Sequence, residues 1–571
     1  MARTVAIGIQ DFEKIREKNV FYIDKTDFIR EWWENGDDVT LITRPRRFGK
    51  TLNMSMMEHF FSVDYANRGD LFEGLSIWQD EAYRKLQGTY PVIFVSFARV
   101  KADNYKDAKR QLFVIIKDLY ETYPFIPEDN SISEIARTMK EYRRAGRDDN
   151  DAINETDLAL SIHELSGYLK KHYGKKVIIL LDEYDTPMQE AWVNGYWDEI
   201  VSLFRNMFNA AFKTNANLYR AIMTGITRVS KESIFSDLNN PEVVTTTSDK
   251  YATCFGFTED EVFAALDECG LSKQKEKVKQ WYDGFTFGKY RDIYNPWSIL
   301  NFLDKKTFMT YWANTSSNSL VGKLIREGSR QIKEKFEILL HGDSIESVID
   351  EQIVYNRLNG NERALWSLLM ASGYLKVVSY EKYDDIPEGT QPKYELALTN
   401  LEVKLMFNNM IHDWFEPVEG DYNDFVHALL TGDIKAMNVY MNRVALGTFS
   451  FFDTGKSPSG AEPERFYHGF VLGLLVDLQD RYVITSNRES GFGRYDVVIE
   501  PREPEKNDAY ILEFKVHDAD DEESLKDTVA AALRQIEEKK YAAGLVQRGI
   551  KEEHIHSYGF AFEGKNVLIG K

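Results

Sequence analysis

The stretch that most constrains this chain is the short apolar run at residues 39–42, which breaks into Thr43-Arg44-Pro45-Arg46-Arg47-Phe48-Gly49-Lys50-Thr51 and resumes as Leu52-Asn53-Met54. It reads as a strand, a tight anion-holding turn and a helix. The first N–H groups of such a helix have no partner within it, its dipole favours negative charge at that end, and Lys50 adds a full positive charge. The hydroxyl of Thr51 is then placed for a magnesium ion. One position departs from the usual phosphate-loop pattern: five residues before Gly49, where a glycine is usual, the chain has Arg44. Standing alone, Gly49-Lys50-Thr51 reads equally well as a basic surface turn, so the rest of the chain has to decide.

A second stretch answers it. Val177-Ile178-Ile179-Leu180-Leu181 runs directly into Asp182-Glu183. Five apolar residues ending in two carboxylates suit a strand buried on both faces, with acids at the C-terminal end where open α/β sheets bind ligands. Alone, the pair also fits helix-capping acids after a core strand. Loop and acids together supply what a nucleoside triphosphate needs: a phosphate cradle, Thr51 and Asp182 for magnesium, and Glu183 to orient the attacking water. The expected nucleotide site is therefore Arg46, Arg47, Phe48, Gly49, Lys50, Thr51 and Asp182, with Glu183 as its catalytic acid. Arg44, Arg46 and Arg47 are candidates to clamp phosphate charge, and Thr224 and Arg228 to sense the terminal phosphate. For each of these the plain alternative is a solvated surface position.

Around the two stretches, strands are expected at 19–26, 90–97 and 177–181, and a further one at 218–225. Helices are expected at 26–33 (ended by Gly36), 105–120, 131–142, 158–169 (closed by Gly174) and 199–213, with an exposed polar loop at 144–154. This alternation over residues 1–245 implies a doubly wound parallel sheet. From about Thr258 the pattern turns to helices, at 259–268, 275–282, 296–302, 319–326 and 362–372, giving a mainly helical middle region over 246–455. After the Gly-Ser-Pro stretch at 455–460, the last unit, 456–571, reads helix (464–478), strand (481–485), strand (494–499), strand (510–516), helix (523–541) and strand (559–562). The expected fold class is α/β multidomain with a mixed α/β C-terminal domain.

A length of 571 residues exceeds one compact core, and 43% hydrophobic residues suffice for several. Two cysteines, Cys254 and Cys269, supply neither a disulfide framework nor a metal cluster, which suits a reducing cytoplasm. Neither a signal peptide nor a membrane span is expected. A net charge of -20 argues against a surface coated with nucleic acid and confines any such contact to local grooves.

The last unit carries its own chemistry. In Tyr510-Ile511-Leu512-Glu513-Phe514-Lys515-Val516, the side chains of Glu513 and Lys515 share one strand face while Leu512, Phe514 and Val516 take the other. With Asp496 on the preceding strand, two acids suit magnesium or manganese, and the lysine suits a developing phosphorane charge. Glu464, on the same helix face as Tyr467, Val471 and Leu474, is a third candidate acid, and Gln535 and Tyr541 lie on or at the end of the later helix. The plain alternative for Glu513 and Lys515 is an ion pair on a solvated sheet face.

With these motifs in hand, the chain resembles the bacterial AAA-ATPase-like proteins that carry a C-terminal nuclease domain of the PD-(D/E)XK superfamily. The resemblance rests on Asp11-Phe12-Glu13-Lys14-Ile15-Arg16, Phe21-Tyr22-Ile23-Asp24-Lys25-Thr26, Arg44 to Thr51, Leu181 to Asp185, Thr224-Gly225-Ile226-Thr227-Arg228, Asn295-Pro296-Trp297-Ser298, Gly493 to Asp496 and Glu513-Phe514-Lys515. It implies a P-loop ATPase module, a helical lid or winged-helix middle and a restriction-endonuclease-like C-terminus, with a role in defence or DNA processing. Arg44 is then a habit of the family. Two departures stand out: Tyr495 replaces the proline of the nuclease motif, and Tyr541 follows Gln535 by six residues rather than four.

The expectation is an ATP-binding and ATP-hydrolysing protein, using Mg2+ or Mn2+, that controls a metal-dependent nuclease acting on nucleic acid, DNA ahead of RNA. Glu183, Asp496, Glu513, Lys515, Glu464 and Gln535 are its candidate catalytic residues, and Thr51, Asp182, Asp496 and Glu513 its candidate metal ligands. No membrane partner is expected. Assembly of several copies is left open, because related ATPases supply arginines across subunits. The alternative is a nucleotide-dependent signalling switch whose C-terminal domain binds nucleic acid or a protein without cleaving.

Overall fold

A computed structural model describes residues 3–126, 154–229, 241–313, 319–326, 329–350, 358, 361–381, 383–387, 389–413, 423–448, 471, 475, 478, 481–486, 489–490, 493–494, 497–518, 522–563 and 566–571. The chain forms two compact units, Met1–Met406 and Phe407–Lys571.

In the first unit, β1 (Val39–Thr43), β2 (Val92–Ser96), β3 (Val177–Asp182), β4 (Leu218–Gly225) and β5 (Pro241–Val244) build a parallel sheet in the order β2-β3-β4-β1-β5. Every residue of β1 and β3 is buried, as expected of strands with helices on both faces. Because all five strands run the same way, their C-terminal ends share one edge. Thr43 sits opposite Gly225 and Leu181 opposite Met223, so the loop after β1 and the acids after β3 flank the end of β4.

The helix Lys50–Phe61 buries Met54, Met56, Met57, Phe60 and Phe61. It is buried nearly all round, Asn53, Ser55 and His59 included, because it is wedged between the sheet and the N-terminal helices Phe12–Glu17 and Asp27–Asn35. Each such side chain contributes about 1.5–3 kcal/mol by leaving water. The helices Tyr105–Glu121 and Glu155–Tyr173 form as their periodicity predicts, the latter ending at Gly174 with φ 71°. The predicted helix at 199–213 is found as Trp197–Phe208 followed by one wider turn, Asn209–Lys213. Residues 19–26, predicted as a strand, form none: the segment is irregular, and Asp24 accepts from Thr26 N at 2.9 Å and from Ser76 N at 2.7 Å. The predicted helix at 131–142 and nearly all of the loop at 144–154 lie outside the described residues.

The middle of the first unit is rich in helices, among them Glu259–Glu268, Lys275–Tyr282, Pro296–Lys305 and Glu362–Ala371. It also contains two small antiparallel sheets, where mainly helices were expected. One orders β6 (Phe257–Thr258), β8 (Tyr290–Tyr294) and β7 (Phe285–Phe287) as β6-β8-β7; the other joins β9 (Ile345–Val348), β10 (Leu375–Tyr380) and β11 (Lys393–Leu398) as β10-β11-β9.

The second unit is a mixed sheet, β12 (Tyr482–Ser486), β15 (Val497–Pro501), β16 (Ala509–Val516), β17 (Ile555–Glu563) and β18 (Asn566–Gly570), in that order, with a separate two-stranded ribbon of β13 (Glu489–Ser490) and β14 (Gly493–Arg494). β16 and β17 pair in parallel across the helix Leu525–Glu538; the other pairs of the mixed sheet are antiparallel. Leu512 and Phe514 face one core with the helices Asn423–Thr431 and Ile434–Thr448, while Ile511 faces another with Ile536 and Tyr541. Those two helices precede the Gly-Ser-Pro stretch at 455–460, so this unit begins earlier in the chain than residue 456. The terminal strand β18 was not anticipated. Its outer edge is covered by amides: Asn438 exchanges hydrogen bonds with Ile569 at 2.8 and 2.9 Å, and Asn442 with Val567 at 2.6 and 3.0 Å. An edge capped in this way cannot template a further strand.

Candidate functional site

The phosphate loop leaves β1 at Thr43 and enters its helix through Gly49, which has φ 79° and offers no side-chain cap, so the first-turn N–H groups face the cleft. Lys50 is almost fully buried. Its ammonium donates to the carbonyls of Arg44 and Pro45 at 3.0 and 3.1 Å and lies 3.8 Å from Glu183 Oε1. The Thr51 hydroxyl donates to Asp182 Oδ2 at 2.7 Å, and Thr224 donates to the other oxygen, Oδ1. Lys50, Thr51, Asp182 and Glu183, drawn from two distant stretches, thus meet at one strand edge. A cleft of about 360 Å³ opens over Lys50, Thr51 and Glu183, lined also by Tyr22, Arg47, Gln189 and Trp297, with Asp182 buried behind Thr51.

The electrostatics follow from burial. The Asp182 carboxyl is pushed up from its ordinary range, first by burial and then by Glu183, against the Thr224 and Thr51 hydroxyls and Lys50. Asp185 is pushed up by the same two causes. It accepts from the backbone of Ile226 and Thr227 at 3.1 and 2.8 Å, and so ties the segment after β3 to the segment after β4. Gly225 is needed at this crossing: a Cβ there would stand 2.6 Å from Asp185 Oδ1. Glu183 itself has φ 55°, a backbone region that disfavours side chains and recurs at functional sites.

The structure corrects two of the expectations. Arg44 does not clamp phosphate. Its guanidinium is fully buried and donates to the carbonyls of Thr43, Thr245, Lys250 and Tyr251 at 2.9, 2.8, 3.3 and 3.5 Å, with the Phe287 ring 4.5 Å away. Burial pulls its pKa down to about 9. Arg44 is therefore a strut that fixes the exit of β1 to residues 245–251. Thr224, for its part, is buried and committed to Asp182. Arg228 lies half-buried beyond it.

Arg46, Arg47 and Phe48 are gripped from the middle region, which sequence reasoning missed. The Arg46 carbonyl accepts from Asn295 Nδ2 at 3.2 Å and from the Trp312 indole at 3.0 Å. The Arg47 guanidinium lies 4.3 Å above the Trp297 ring, and Phe48 packs edge-on against Phe285 and Phe287 at 4.8 and 5.3 Å. Trp312 is held in turn by the buried Glu402, which accepts from Trp312 N at 2.6 Å and Ser298 Oγ at 2.8 Å; burial raises its carboxyl to about 7. Asn295-Pro296 was legible as a helix start, and Asn295 Oδ1 does accept from Trp297 N at 2.8 Å. Nothing in the local pattern shows that the other end of that amide holds the loop.

In the second unit, Glu513 and Lys515 share the sheet face turned toward the helix Leu525–Glu538, opposite Leu512 and Phe514. Glu513 is 2% exposed, which removes the reading of a solvated ion pair. Gln535 donates to Glu513 Oε1 and to the Tyr541 hydroxyl, the latter at 3.3 Å. The helix stops at Glu538, and Lys540, at φ 53°, turns the chain back, so Tyr541 reaches Gln535 despite the six-residue spacing. Asp496 and Glu464 lie outside the described residues.

A parallel sheet ordered β2-β3-β4-β1-β5, with a phosphate loop after β1 and acids at the end of β3, defines a P-loop nucleotide-binding module; the mixed sheet with a buried Glu513 and its glutamine partner defines a domain of a different kind. Comparison with known families agrees on both: residues 6–235 match the family described as "Predicted AAA-ATPase" and residues 462–571 the PD-(D/E)XK nuclease superfamily. The chain carries an AAA-ATPase-like domain and a C-terminal domain of the PD-(D/E)XK superfamily. An uncharacterized protein in the vnfD 5' region of Azotobacter chroococcum mcd 1 is 26% identical over 98% of this chain and 96% of its own length. The Aeropyrum pernix ORC2 protein, solved as ADPNP and ADP complexes, overlaps 68% of this chain and 92% of its own at 10% identity and a TM-score of 0.27, a likeness too slight to carry an argument. Among the described residues, no helix is long and apolar enough to cross a membrane.

Proposed function

We propose that this chain binds and hydrolyses ATP and that its nucleotide state controls a metal-dependent nuclease in its own C-terminal unit. The observation that carries the first half is the convergence of Lys50, Thr51, Asp182 and Glu183 on one strand edge. The Gly49 to Thr51 backbone and Lys50 hold phosphate, and Arg47 borders the cleft as a further cation. A hydroxyl and a carboxylate, Thr51 and Asp182, are the oxygen donors that magnesium prefers, and the ion would supply charge neutralisation at the phosphates. Glu183, 3.8 Å from the lysine, is placed to orient the attacking water and accept its proton.

The second half rests on the Glu513, Gln535 and Tyr541 group. A buried carboxylate oriented by an amide suits a ligand for Mg2+ or Mn2+, which would stabilise charge at a scissile phosphate. Lys515, one step along the same face, neutralises charge on the phosphorane, and Asp496 completes the ligand set. DNA is the substrate we favour over RNA. Control by ATP is a hypothesis motivated by the presence of both modules in one chain.

The net charge of -20 favours a second reading, a nucleotide switch whose C-terminal unit binds a partner without cutting. Incubation with plasmid, linear and single-stranded DNA and with RNA, in magnesium or manganese, decides between them. Cutting that needs metal and is lost in both Asp496→Ala and Glu513→Ala supports the nuclease; binding without cutting supports the switch.

A further inference from the structure

We propose that Glu259, Asp283 and Asp292 form a site for a hard divalent cation of the magnesium or calcium type, separate from the nucleotide site and from Glu513. One carboxylate oxygen from each of the three lies within 4.8 Å of the others. They come from three elements: Glu259 opens the helix Glu259–Glu268 just after β6, Asp283 closes the helix Lys275–Tyr282 just before β7, and Asp292 lies within β8 at φ 57°.

Three carboxylates face one ammonium. Lys279 lies 2.5 Å from Glu259 Oε2 and 3.8 Å from Asp292 Oδ1. With all three ionised, the group is two charges short of neutral. Asp283 is the telling member: it is 9% exposed, and its buried Oδ1 accepts no hydrogen bond. A buried carboxylate oxygen without a donor is costly, and a bound cation satisfies it as a proton donor would. Burial, and then Asp292, hold the Asp283 carboxyl up at about 7, against the Gly284 N–H and Lys279. Tyr294, also buried, donates to Glu259 Oε2 at 3.2 Å and orients that carboxylate. An all-oxygen donor set from flexible carboxylates fits calcium or magnesium rather than zinc.

The position gives the site a consequence. A cation here ties together the strands of the β6-β8-β7 sheet, whose Phe285 and Phe287 hold Phe48 of the phosphate loop. It braces the loop from behind without touching nucleotide.

Terbium(III), a hard oxygen-seeking ion excited through neighbouring phenols, is a direct probe, because Tyr294 touches Glu259. The test titrates it into the full chain carrying Asp182→Asn and Glu513→Gln, each of which removes a ligand charge from one of the other two proposed metal positions. Saturable tyrosine-excited emission is expected, displaced by excess calcium. Asp283→Asn should weaken it at least about ten-fold, since affinity at such sites follows ligand charge; Asp260→Asn, an exposed acid on the same helix, should not. If Asp283→Asn does not fold, Asp292→Asn, whose side chain is exposed, carries the same expectation. Equal affinity in parent and Asp292→Asn, or no saturable emission at all, overturns the site.

Discussion

Thr51 Oγ1 lies 2.7 Å from Asp182 Oδ2, a hydrogen bond between residues 131 positions apart that joins the helix after β1 to the end of β3. Both groups are oxygen donors, and Lys50 and Glu183 stand beside them. In a chain that binds ATP with magnesium, ligand at a hundredfold excess over Kd stabilises the folded state by about 2.7 kcal/mol. Thermal melts with and without ATP and magnesium should show this gain in the parent. Lys50→Ala should lose it, because the ammonium is removed from the centre of the phosphate loop.

Arg44→Gly restores the usual phosphate-loop pattern and should nevertheless harm the protein. The buried guanidinium donates to four carbonyls, and removing it leaves them without their donor. A loss of about 2–4 kcal/mol is expected from the unsatisfied acceptors and the cavity. Urea unfolding measures it. Arg47→Ala, at an exposed side chain, should change stability little and act on nucleotide affinity instead.

Asn295→Ala removes a helix cap, worth about 1 kcal/mol, and also the amide that holds the Arg46 carbonyl. The nucleotide Kd should therefore rise along with the loss of stability. Isothermal titration with ATP separates this from a cap alone: Asn295→Ser, which keeps a capping oxygen but loses the amide, should recover stability and not affinity.

Glu58 gives a pH dependence. Burial first, then Asp64 and Asp11, push its carboxyl from 4.5 up to about 7. A group that holds its proton more tightly when folded makes stability fall as pH rises from about 4.5 to about 7, with no further change above. Glu402, also raised to about 7 by burial, acts in the same sense. Glu58→Gln should therefore be more stable than the parent at pH 8, little different at pH 4, and shallower in slope between. Denaturant midpoints across that range check it.

Much of this molecule was legible because its chemistry is local in sequence. Gly49-Lys50-Thr51 and Asp182-Glu183 announce themselves by following apolar strands, and the parallel sheet brings their strand ends to one edge. What was illegible depends on long-range packing. Arg44 read as a phosphate ligand because sequence shows its charge and not the carbonyls of residues 245–251 that receive it. The grip of Trp312 and Asn295 on Arg46 spans 266 and 249 positions. Tyr541 seemed misplaced relative to Gln535 until the turn at Lys540 brought it back. Strand β18 was missed because Asn566 to Gly570 is short and shows its pairing only against β17.

In the C-terminal unit, Gln535→Ala should leave the fold intact and weaken metal binding by about 10–100-fold, the usual effect of losing a group that orients a ligand. The Gln535 amide is the donor to Glu513 Oε1. Manganese titration of the variant against its parent measures the difference.

The most direct test of coupled function is the rate of metal-dependent DNA cleavage by the full chain with and without ATP, in the parent, Lys50→Ala and Glu513→Ala. Control by nucleotide predicts that ATP changes the parent's rate, leaves Lys50→Ala unchanged, and finds no cleavage in Glu513→Ala. Identical rates in parent and Lys50→Ala, with ATP and without it, would contradict it.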